Sequence, residues 1–176
     1  MASDEQTDTE LVRDCLNGNQ SVYAELVRRH QDSVFGLAVS MTRNREDAED
    51  MAQEAFIRAY NKLDQYNPDF AFRAWILRIC SNQTKNLFRS RMNRRSVEEK
   101  HLNEEAVSQD AVDPEFQAVE DALGTLPPKL GAPLRLKYIE ELSYDEISDI
   151  LGIGVSAAKM RVLRARKHLQ EILTHE

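Results

Sequence analysis

Apolar residues return every three or four positions along nearly the whole chain, and this spacing constrains the fold more than any other feature. In residues 47–63, for example, one apolar stripe recurs with each helical turn among polar neighbours. No segment sustains the strict alternation that a half-buried strand requires. Only six glycines and five prolines interrupt the 176 residues. The sequence therefore predicts an all-α fold.

One long break in this pattern divides the chain. Residues 94–112 are polar and lack periodicity, so we interpret them as a flexible linker. Asp113 and Pro114 then resemble a helix N-cap followed by proline at the first helical position. We therefore predict two small helical domains, residues 1–93 and 113–176, which are independent of each other when the protein is free.

The net charge of −7 hides an uneven distribution. Residues 71–101 contain eight basic and two acidic side chains, and residues 151–176 contain five basic and two acidic ones. The segments before and between these blocks are strongly acidic. Basic blocks attract phosphate, whereas acidic blocks favour other partners. The simpler interpretation is that these charged segments are solvated helix faces. Composition alone favours neither interpretation over the other.

The C-terminal residues have the pattern of a helix-turn-helix, in which a short helix, a glycine-containing turn and a basic helix follow one another. Ser143 and Glu146 fit a capping box that starts the first helix. The turn spans residues 152–155, and the basic helix runs from about Ser156 to Leu173. The second helix of such motifs enters the major groove. The combination favours DNA binding over an ordinary amphipathic helix with solvated arginines.

A second basic segment, residues 71–95, mixes cationic and aromatic side chains. Cations bind phosphate, and aromatic rings stack on unpaired bases. Asn82 and Asn86 share one face of the predicted helix, where their amides could bond the edge of a base drawn out of the duplex. Two alternatives remain open: Trp75 belongs to the core, which we favour for that residue, and both asparagines simply face solvent.

The order and spacing of these segments resemble those of the extracytoplasmic-function (ECF) sigma factors, the smallest members of the bacterial sigma family. The resemblance covers about residues 8–92 and 113–174. The matching pieces are DAEDMAQEAFIRAYNKL (47–63), FRAWILRICSNQTKNL (72–87), LPPKL (126–130) and LSYDEISDILGIGVSAAKMRVLRARKHL (142–169).

This resemblance implies a factor that binds core RNA polymerase, directs it to specific promoters and helps to melt the minus-ten element. It also implies control by an anti-sigma factor. The alternative is a conventional helix-turn-helix regulator, with residues 1–92 as a sensor or dimerisation domain. The basic-aromatic segment favours the sigma factor, since a sensor domain has no need of it.

The resemblance further implies a set of contact residues. The partners would be the beta-prime clamp helices and the beta flap of polymerase, and promoter DNA. The residues implied for polymerase binding are Asp47, Asp50, Gln53, Glu54 and Phe56. Those for minus-ten recognition and melting, together with the loop at 66–72, are Asn67, Phe70, Arg78, Asn82, Lys85, Asn86 and Arg89. Those for the minus-thirty-five element are Ser156, Lys159, Met160, Arg161, Arg164 and Arg166.

The sequence departs from the family pattern in three places. Ser156-Ala157-Ala158 stands where Gly-Thr-Val is common, so Ala157 offers no hydroxyl to phosphate. Glu140-Glu141 replaces an acidic-glycine turn and so lacks the residue that best tolerates positive φ. Pro133 falls inside a predicted helix, where it removes a backbone donor and is expected to introduce a kink.

Other classes of function find little support in the sequence. The four histidines have no metal-ligand spacing, and no nucleophile or phosphate-loop motif is recognisable. We therefore expect no metal, no cofactor and no enzymatic activity. No apolar run approaches the roughly 18 residues of a membrane span, and the first residues are acidic, which predicts a cytoplasmic protein without membrane insertion. Cys15 and Cys80 are expected to be reduced and buried.

Overall fold

The computed structural model describes residues 6–95 and 121–174, and its ordered elements are all helices. The first domain contains α1 (Asp8–Leu16), α2 (Tyr23–Thr42), α3 (Arg45–Asn61) and α4 (Phe72–Arg95), with 3-10 turns at Gln20–Val22 and Leu63–Gln65. The second contains a helical stretch at 121–124, then α5 (Pro128–Tyr138), α6 (Tyr144–Leu151) and α7 (Val155–Thr174). No strand occurs in either described range, which confirms the all-α prediction.

The predicted linker is covered only at its first two residues. Helix α4 continues to Arg95, two residues beyond the predicted end of the first domain. Residues 96–112 and the predicted N-cap at Asp113 lie outside the described residues. The domain boundaries at 93 and 113 therefore stay predictions.

The helices begin and end where the local sequence supplies caps. Ser143 starts α6 with the predicted capping box: its hydroxyl accepts from the Glu146 amide at 3.2 Å, and its own amide donates to the Glu146 carboxylate at 2.8 Å. Gly152 ends that helix with φ of 61°. Asn44 caps α3 by accepting from the Asp47 amide at 2.8 Å. Ser143 and Asn44 each satisfy a backbone donor that the first helical turn leaves unpaired.

The core of the first domain forms around α2, which packs against both α3 and α4. Leu26, Val34 and Leu37 of α2 are fully buried, and they meet a face of small residues on α3 and an apolar face of α4. The Cys80 thiol of α4 points at the carbonyl of Val34 at 3.7 Å. Cys15 and Cys80 are both free and buried, as predicted.

The second domain has a smaller core, in which α7 packs against α5 and α6. The helical spacing of Ala158, Val162, Ala165, Leu169 and Ile172 predicts an inward apolar stripe on α7. Ala158, Val162 and Ala165 are buried, as this stripe predicts. Leu169 is half-buried against the same cluster. The side chain of Ile172, the last member of the predicted stripe, lies outside the described residues.

The two domains pack against each other, whereas the sequence predicted domains independent of one another. Helix α5 lies on α2, and α6 lies on α4. Leu136 of α5, together with Ile147 and Leu151 of α6, belongs to the same buried cluster as the core of the first domain. The interface is therefore a continuous extension of that core.

Two departures from the family pattern have visible structural results. Glu141 has φ of 55°, so a residue with a Cβ occupies the left-handed region that glycine would fill without strain. Pro133 is buried in the middle of α5, and the helix continues past it to Tyr138. The ring of Pro133 thus lies inside the packed part of the domain.

The capping box of α6 provides a test of local stability. We expect Ser143→Ala to lower the free energy of unfolding by about 1 kcal/mol, because the first turn of α6 loses its side-chain acceptor. Urea denaturation followed by circular dichroism measures this change. Ser143→Thr, which keeps the hydroxyl, is the matched control and should retain most of the stability. Equal midpoints for the alanine variant and the unmodified protein would contradict the role of the cap.

Candidate functional site

The outer face of α3 carries most of the residues assigned to polymerase binding. Asp50 and Gln53 are exposed. Asp47 is half-buried, and its two carboxylate oxygens accept hydrogen bonds from the two terminal guanidinium nitrogens of Arg91 at 2.6 Å. This bidentate ion pair connects α3 to α4. Glu54 accepts from Arg58, one turn further along, at 2.6 Å. The acidic face is therefore partly neutralised by neighbours and leaves Asp50 as an exposed carboxylate.

Phe56 borders a cavity that Gln53 also lines, but it offers little surface of its own, and its assignment to polymerase binding stays a prediction. Its side chain is 8% exposed within the core, and its carbonyl accepts from the Tyr23 hydroxyl at 2.7 Å. Exposed apolar side chains on α3 are instead Ile57 and Tyr60. Sequence reasoning placed Ile57 and Tyr60 in the amphipathic stripe. Ile57 is 57% exposed, whereas the Tyr60 ring packs edge-to-face against that of Tyr23 on α2, with the centroids 5.0 Å apart, and is 36% exposed. Periodicity alone does not reveal this difference.

The conformation of the loop at 66–71, between α3 and α4, is fixed by hydrogen bonds between its own side chains and its own backbone. The Tyr66 hydroxyl donates to the carbonyl of Phe70 at 2.6 Å, and the Asn67 side chain accepts from the Asp69 amide at 3.0 Å. The rings of Tyr66 and Trp75 pack beside that of Phe72. Trp75 is half-buried in this cluster, in agreement with its expected core role. The arrangement leaves Phe70 66% exposed at the tip of the loop.

A cavity of about 540 Å³ lies between this loop and helices α1 and α2. His30, which the sequence placed only as structural or solvated, is buried in its wall with Nε2 at 2.7 Å from an Asp8 carboxylate oxygen. The hydrogen bond with His30 lowers the pKa of Asp8, and Arg29 lowers it further. Sequence reasoning missed the cavity because its walls come from three separate segments.

Asn82 and Asn86 are exposed on α4, but they do not lie beside the loop. They follow Phe72 by ten and fourteen residues, so they are about 15 and 21 Å further along the helix axis. A single base cannot contact both the loop and these amides. The structure therefore places the residues assigned to the minus-ten element in two separate groups, one at the loop and one on α4.

The cations of α4 differ in their availability. Arg78 and Arg89 are exposed. The Lys85 ammonium donates to the carbonyl of Leu151, at the end of α6, at 2.6 Å. Burial lowers the pKa of Lys85, and the charges of Arg89 and Arg78 add to the effect. In this structure Lys85 is thus engaged by the second domain.

Helix α7 presents most of the residues assigned to the minus-thirty-five element. The exposed members of the assigned set are Ser156, Lys159, Met160, Arg164 and Arg166. Arg161 is half-buried and borders a cleft between the domains. Leu163, which the sequence analysis did not assign, is 57% exposed among them. One outer face of α7 is therefore basic with apolar residues interspersed.

The cleft between the domains has a volume of about 760 Å³. Apolar side chains such as Phe88 and Ile153 line it, and four cations stand around it: Lys85, Arg89, Lys129 and Arg161. Its walls come from α2, α4, α5, the end of α6, the α6–α7 turn and α7. The sequence analysis did not predict this cleft, since it depends on how the domains pack.

Two further features concern the described residues alone. Within 6–95 and 121–174, no three histidine, cysteine or acidic side chains come together in a way that could hold a metal ion. Among the helices of the same ranges, none combines the length and apolar character needed to cross a membrane.

Comparison with known protein families gives two matches that follow each other along the chain. Residues 26–94 match the model for Sigma-70 region 2, and residues 116–169 match that for Sigma-70, region 4. The first match covers α3, α4 and most of α2. The second covers the helix-turn-helix.

Two similar proteins align with almost the full length of this chain. The ECF RNA polymerase sigma factor SigE of Mycolicibacterium smegmatis is 35% identical, over 97% of this chain and 69% of its own. The ECF RNA polymerase sigma factor SigW of Bacillus subtilis is 32% identical, over 92% of this chain and 94% of its own.

Solved structures share the fold. CnrH, solved in complex with the cytosolic domain of CnrY, is 29% identical and superposes with a TM-score of 0.67 over 97% of this chain and 99% of its own. The sigma factor RpoE from Bartonella quintana, solved with the anti-sigma factor NepR, has a TM-score of 0.74 over 86% of this chain and 96% of its own at 23% identity, which supports the fold alone. The helical architecture, the two matched regions and the near full-length identities agree: the chain belongs to the family of ECF RNA polymerase sigma factors.

Proposed function

We propose that this chain binds core RNA polymerase through α3, brings it to promoters through α7 and helps to open the minus-ten element through α4 and the loop at 66–71. The observation that carries the proposal is the pairing of two exposed basic helices, one of them in a helix-turn-helix, with a separate acidic and apolar face on α3. The chain would act as an initiation factor in the cytoplasm, and polymerase would perform the chemistry.

For the polymerase contact we propose Asp50 and Gln53 with Ile57 and Tyr60. An exposed carboxylate beside exposed apolar groups suits a protein partner and repels DNA phosphate. Asp47 would contribute only if its carboxylate left Arg91 and paired with a group of polymerase instead. The beta flap would be contacted by the second domain.

For the minus-ten element we propose two contacts on one separated strand. Phe70 would stack on a base near the loop, and Asn82 and Asn86 would bond bases further along. The distance of about 15 Å between these sites corresponds to about four nucleotides at duplex spacing. Arg78 and Arg89 would hold the intervening phosphates.

For the minus-thirty-five element we propose that Lys159 and Arg164 read base edges, while Arg161 and Arg166 hold phosphate. Ser156 and Met160 would lie beside them, near the start of the helix, where recognition helices usually meet base edges. Lys159 and Arg164 are exposed, as base contact requires, whereas Arg161 is half-buried.

We also propose that an anti-sigma protein controls the chain. The support is the likeness to CnrH, which was solved with the cytosolic domain of CnrY. An acidic, amphipathic segment would complement the cationic surroundings of the interdomain cleft.

Run-off transcription with purified core polymerase and a promoter from the chain's own operon tests the proposal as a whole. We expect transcripts that depend on addition of the protein and that start at one position. A protein that fails to direct core to any promoter, yet protects a palindrome by itself, would behave as a conventional regulator.

The polymerase face can be tested by binding alone. We expect Asp50→Lys combined with Gln53→Ala to weaken binding to core at least tenfold, because the change reverses an exposed charge at the interface. Fluorescence anisotropy with labelled protein measures the affinity. Asp64→Lys, an exposed charge reversal outside this face, is the control. Unchanged affinity for core would remove α3 from the interface.

The recognition helix should separate base readers from phosphate contacts. Arg164→Ala should cost about 1–3 kcal/mol on the cognate element and relax specificity at one position. Arg166→Ala should weaken all sequences alike and lower the salt dependence. Equilibrium titration of holoenzyme with cognate and scrambled elements distinguishes the two. Equal losses on both elements for Arg164→Ala would reassign it to phosphate.

Melting can be separated from binding. Holoenzymes with Asn82→Ala or Asn86→Ala should bind the promoter but show less permanganate-reactive thymine near the start site, because an unstacked base loses its partner. A pre-melted bubble should partly rescue both variants. Opening of a linear promoter at the unmodified rate would show that both amides simply face solvent.

A further inference from the structure

The cleft between the domains has the size of a small-molecule site. Its volume of about 760 Å³ lies inside the range of roughly 300–1,000 Å³ that such sites occupy, and they often form where two domains meet. An α-helix about 10 Å wide, rising 1.5 Å per residue, would fill that volume with only about six residues. A small molecule therefore fits the cleft as it stands, whereas a helical segment of a partner would have to widen it.

The lining of the cleft is largely apolar. Phe88 of α4 is 36% exposed and lines one wall. Met41 of α2 and Ile153 of the α6–α7 turn are half-buried in other walls, and Ala132 and Pro133 of α5 complete the apolar lining. Covering these side chains with an apolar group would remove their surface from water, which favours binding. The cleft therefore suits a ligand with an apolar body.

The charge around the cleft is positive. The lining residues include the cations Lys85, Arg89, Lys129 and Arg161, and none of them is acidic. Lys85 and Arg89 are one turn apart on the same face of α4. Burial lowers the pKa of Lys85, and repulsion by Arg89 and Arg78 adds to the effect. The Lys85 ammonium has three donors, of which one bonds a carbonyl of α6. An anion in the cleft would relieve this repulsion and find hydrogen-bond donors in place.

We propose that the cleft binds a small amphipathic anion, with one phosphate or carboxylate head among the four cations and an apolar body against Phe88 and Ile153. This ligand class accounts for both properties of the cleft. An inorganic anion would leave the apolar walls in water, and a neutral apolar molecule would leave the cations without an opposite charge. Guanidinium groups bind carboxylate and phosphate with similar paired hydrogen bonds, so either head suits the site.

A ligand in the cleft would compete with promoter DNA for the same cations. Arg89 and Arg161 line the cleft, and they are residues that we propose to hold promoter phosphates. This part of the proposal rests on the proposed function. A bound head group would occupy their donors and reduce the positive charge that attracts a DNA strand. The ligand would thus lower promoter affinity through direct competition.

Isothermal titration calorimetry of the full chain with decyl phosphate, below its micelle concentration, tests the site. We expect saturable binding of one ligand per chain. Decanol lacks the charge and inorganic phosphate lacks the apolar body, so each should bind at least about tenfold more weakly, a difference that calorimetry resolves. Decanoate in a parallel titration distinguishes the two heads, because the tighter of the two ligands identifies which head the cations prefer.

Nuclear magnetic resonance of the same complex locates the ligand. Decyl phosphate should shift the backbone amide signal of Gly152, which lines the cleft. It should leave that of Gly18, an exposed glycine outside the cleft lining, unchanged. Shifts at Gly18 without shifts at Gly152 would place the ligand outside the cleft and contradict the proposal.

Two variants test the head and the body separately. Lys129→Glu reverses an exposed cation of the cleft and should weaken decyl phosphate binding at least about tenfold, since it now repels the head. Lys62→Glu is the matched control, because Lys62 is exposed but does not line the cleft. Phe88→Ala removes apolar contact with the body and should weaken binding about tenfold. Circular dichroism verifies that all three variants keep their helix content.

Competition with DNA is measured by fluorescence anisotropy of a short, labelled single strand. At ten times its dissociation constant, decyl phosphate should lower the strand affinity about tenfold, as simple competition requires. Unchanged strand affinity at saturating ligand would overturn the competition. Failure of the chain in run-off transcription would instead contradict the proposed function, since calorimetry reports ligand binding independently of polymerase.

Three results would overturn the site itself. Equal binding of decanol and decyl phosphate would show that the cations do not recognise the head. Unchanged affinity in both Lys129→Glu and Phe88→Ala would show that the ligand binds elsewhere. Failure of both decyl phosphate and decanoate to bind would leave the cleft to a protein segment of matching charge.

Discussion

The arrangement of the domains depends on the burial of Glu140 and Arg135 against α2 and α4. Removing two charges from water costs several kcal/mol per ion, so their burial is tolerated only where hydrogen-bond donors and the opposite charge are already in place. Ser33 donates to the Glu140 carboxylate, Arg73 donates to the Glu140 carbonyl, and Gly36 leaves room for the Arg135 guanidinium. A shifted or rotated second domain would leave a buried charge without its partners. The contact therefore fixes orientation more than it adds stability.

Helix α4 has three faces, each in a different environment. Its buried face, with Ile76 and Cys80, completes the core of the first domain. A second face meets the other domain through Lys85, and a third leaves Asn82 and Asn86 in solvent. Because these faces alternate along one rigid helix, any change that moves α4 relative to α6 also changes what its cations can bind. Contact between the domains and the availability of the Lys85 ammonium are thus mechanically linked.

Local features of the structure were predictable from the sequence, and long-range ones were not. The Ser143 capping box and the inward stripe of α7 depend on residues three or four apart, and both are present as predicted. The Phe56 side chain is buried in a core that residues of α2, α3 and α4 form together, so its burial depends on helices other than its own. The hydrogen bond between Ser33 and Glu140 joins residues 107 positions apart, a separation that no periodicity encodes. The same holds for the candidate site residues. The helices that contain them were predictable from the sequence, but the solvent exposure of their side chains was not.

The two cysteines have a consequence for how the protein meets its chemical surroundings. Cys15 and Cys80 are buried, and burial raises the pKa of both thiols, that of Cys80 to about 12. Since the thiolate is the form that peroxides and electrophiles attack, the folded chain presents them with poor targets. The thioethers of Met92 and Met160, in contrast, are 70% and 48% exposed. Among the described residues, an oxidant would therefore reach these methionines before either cysteine.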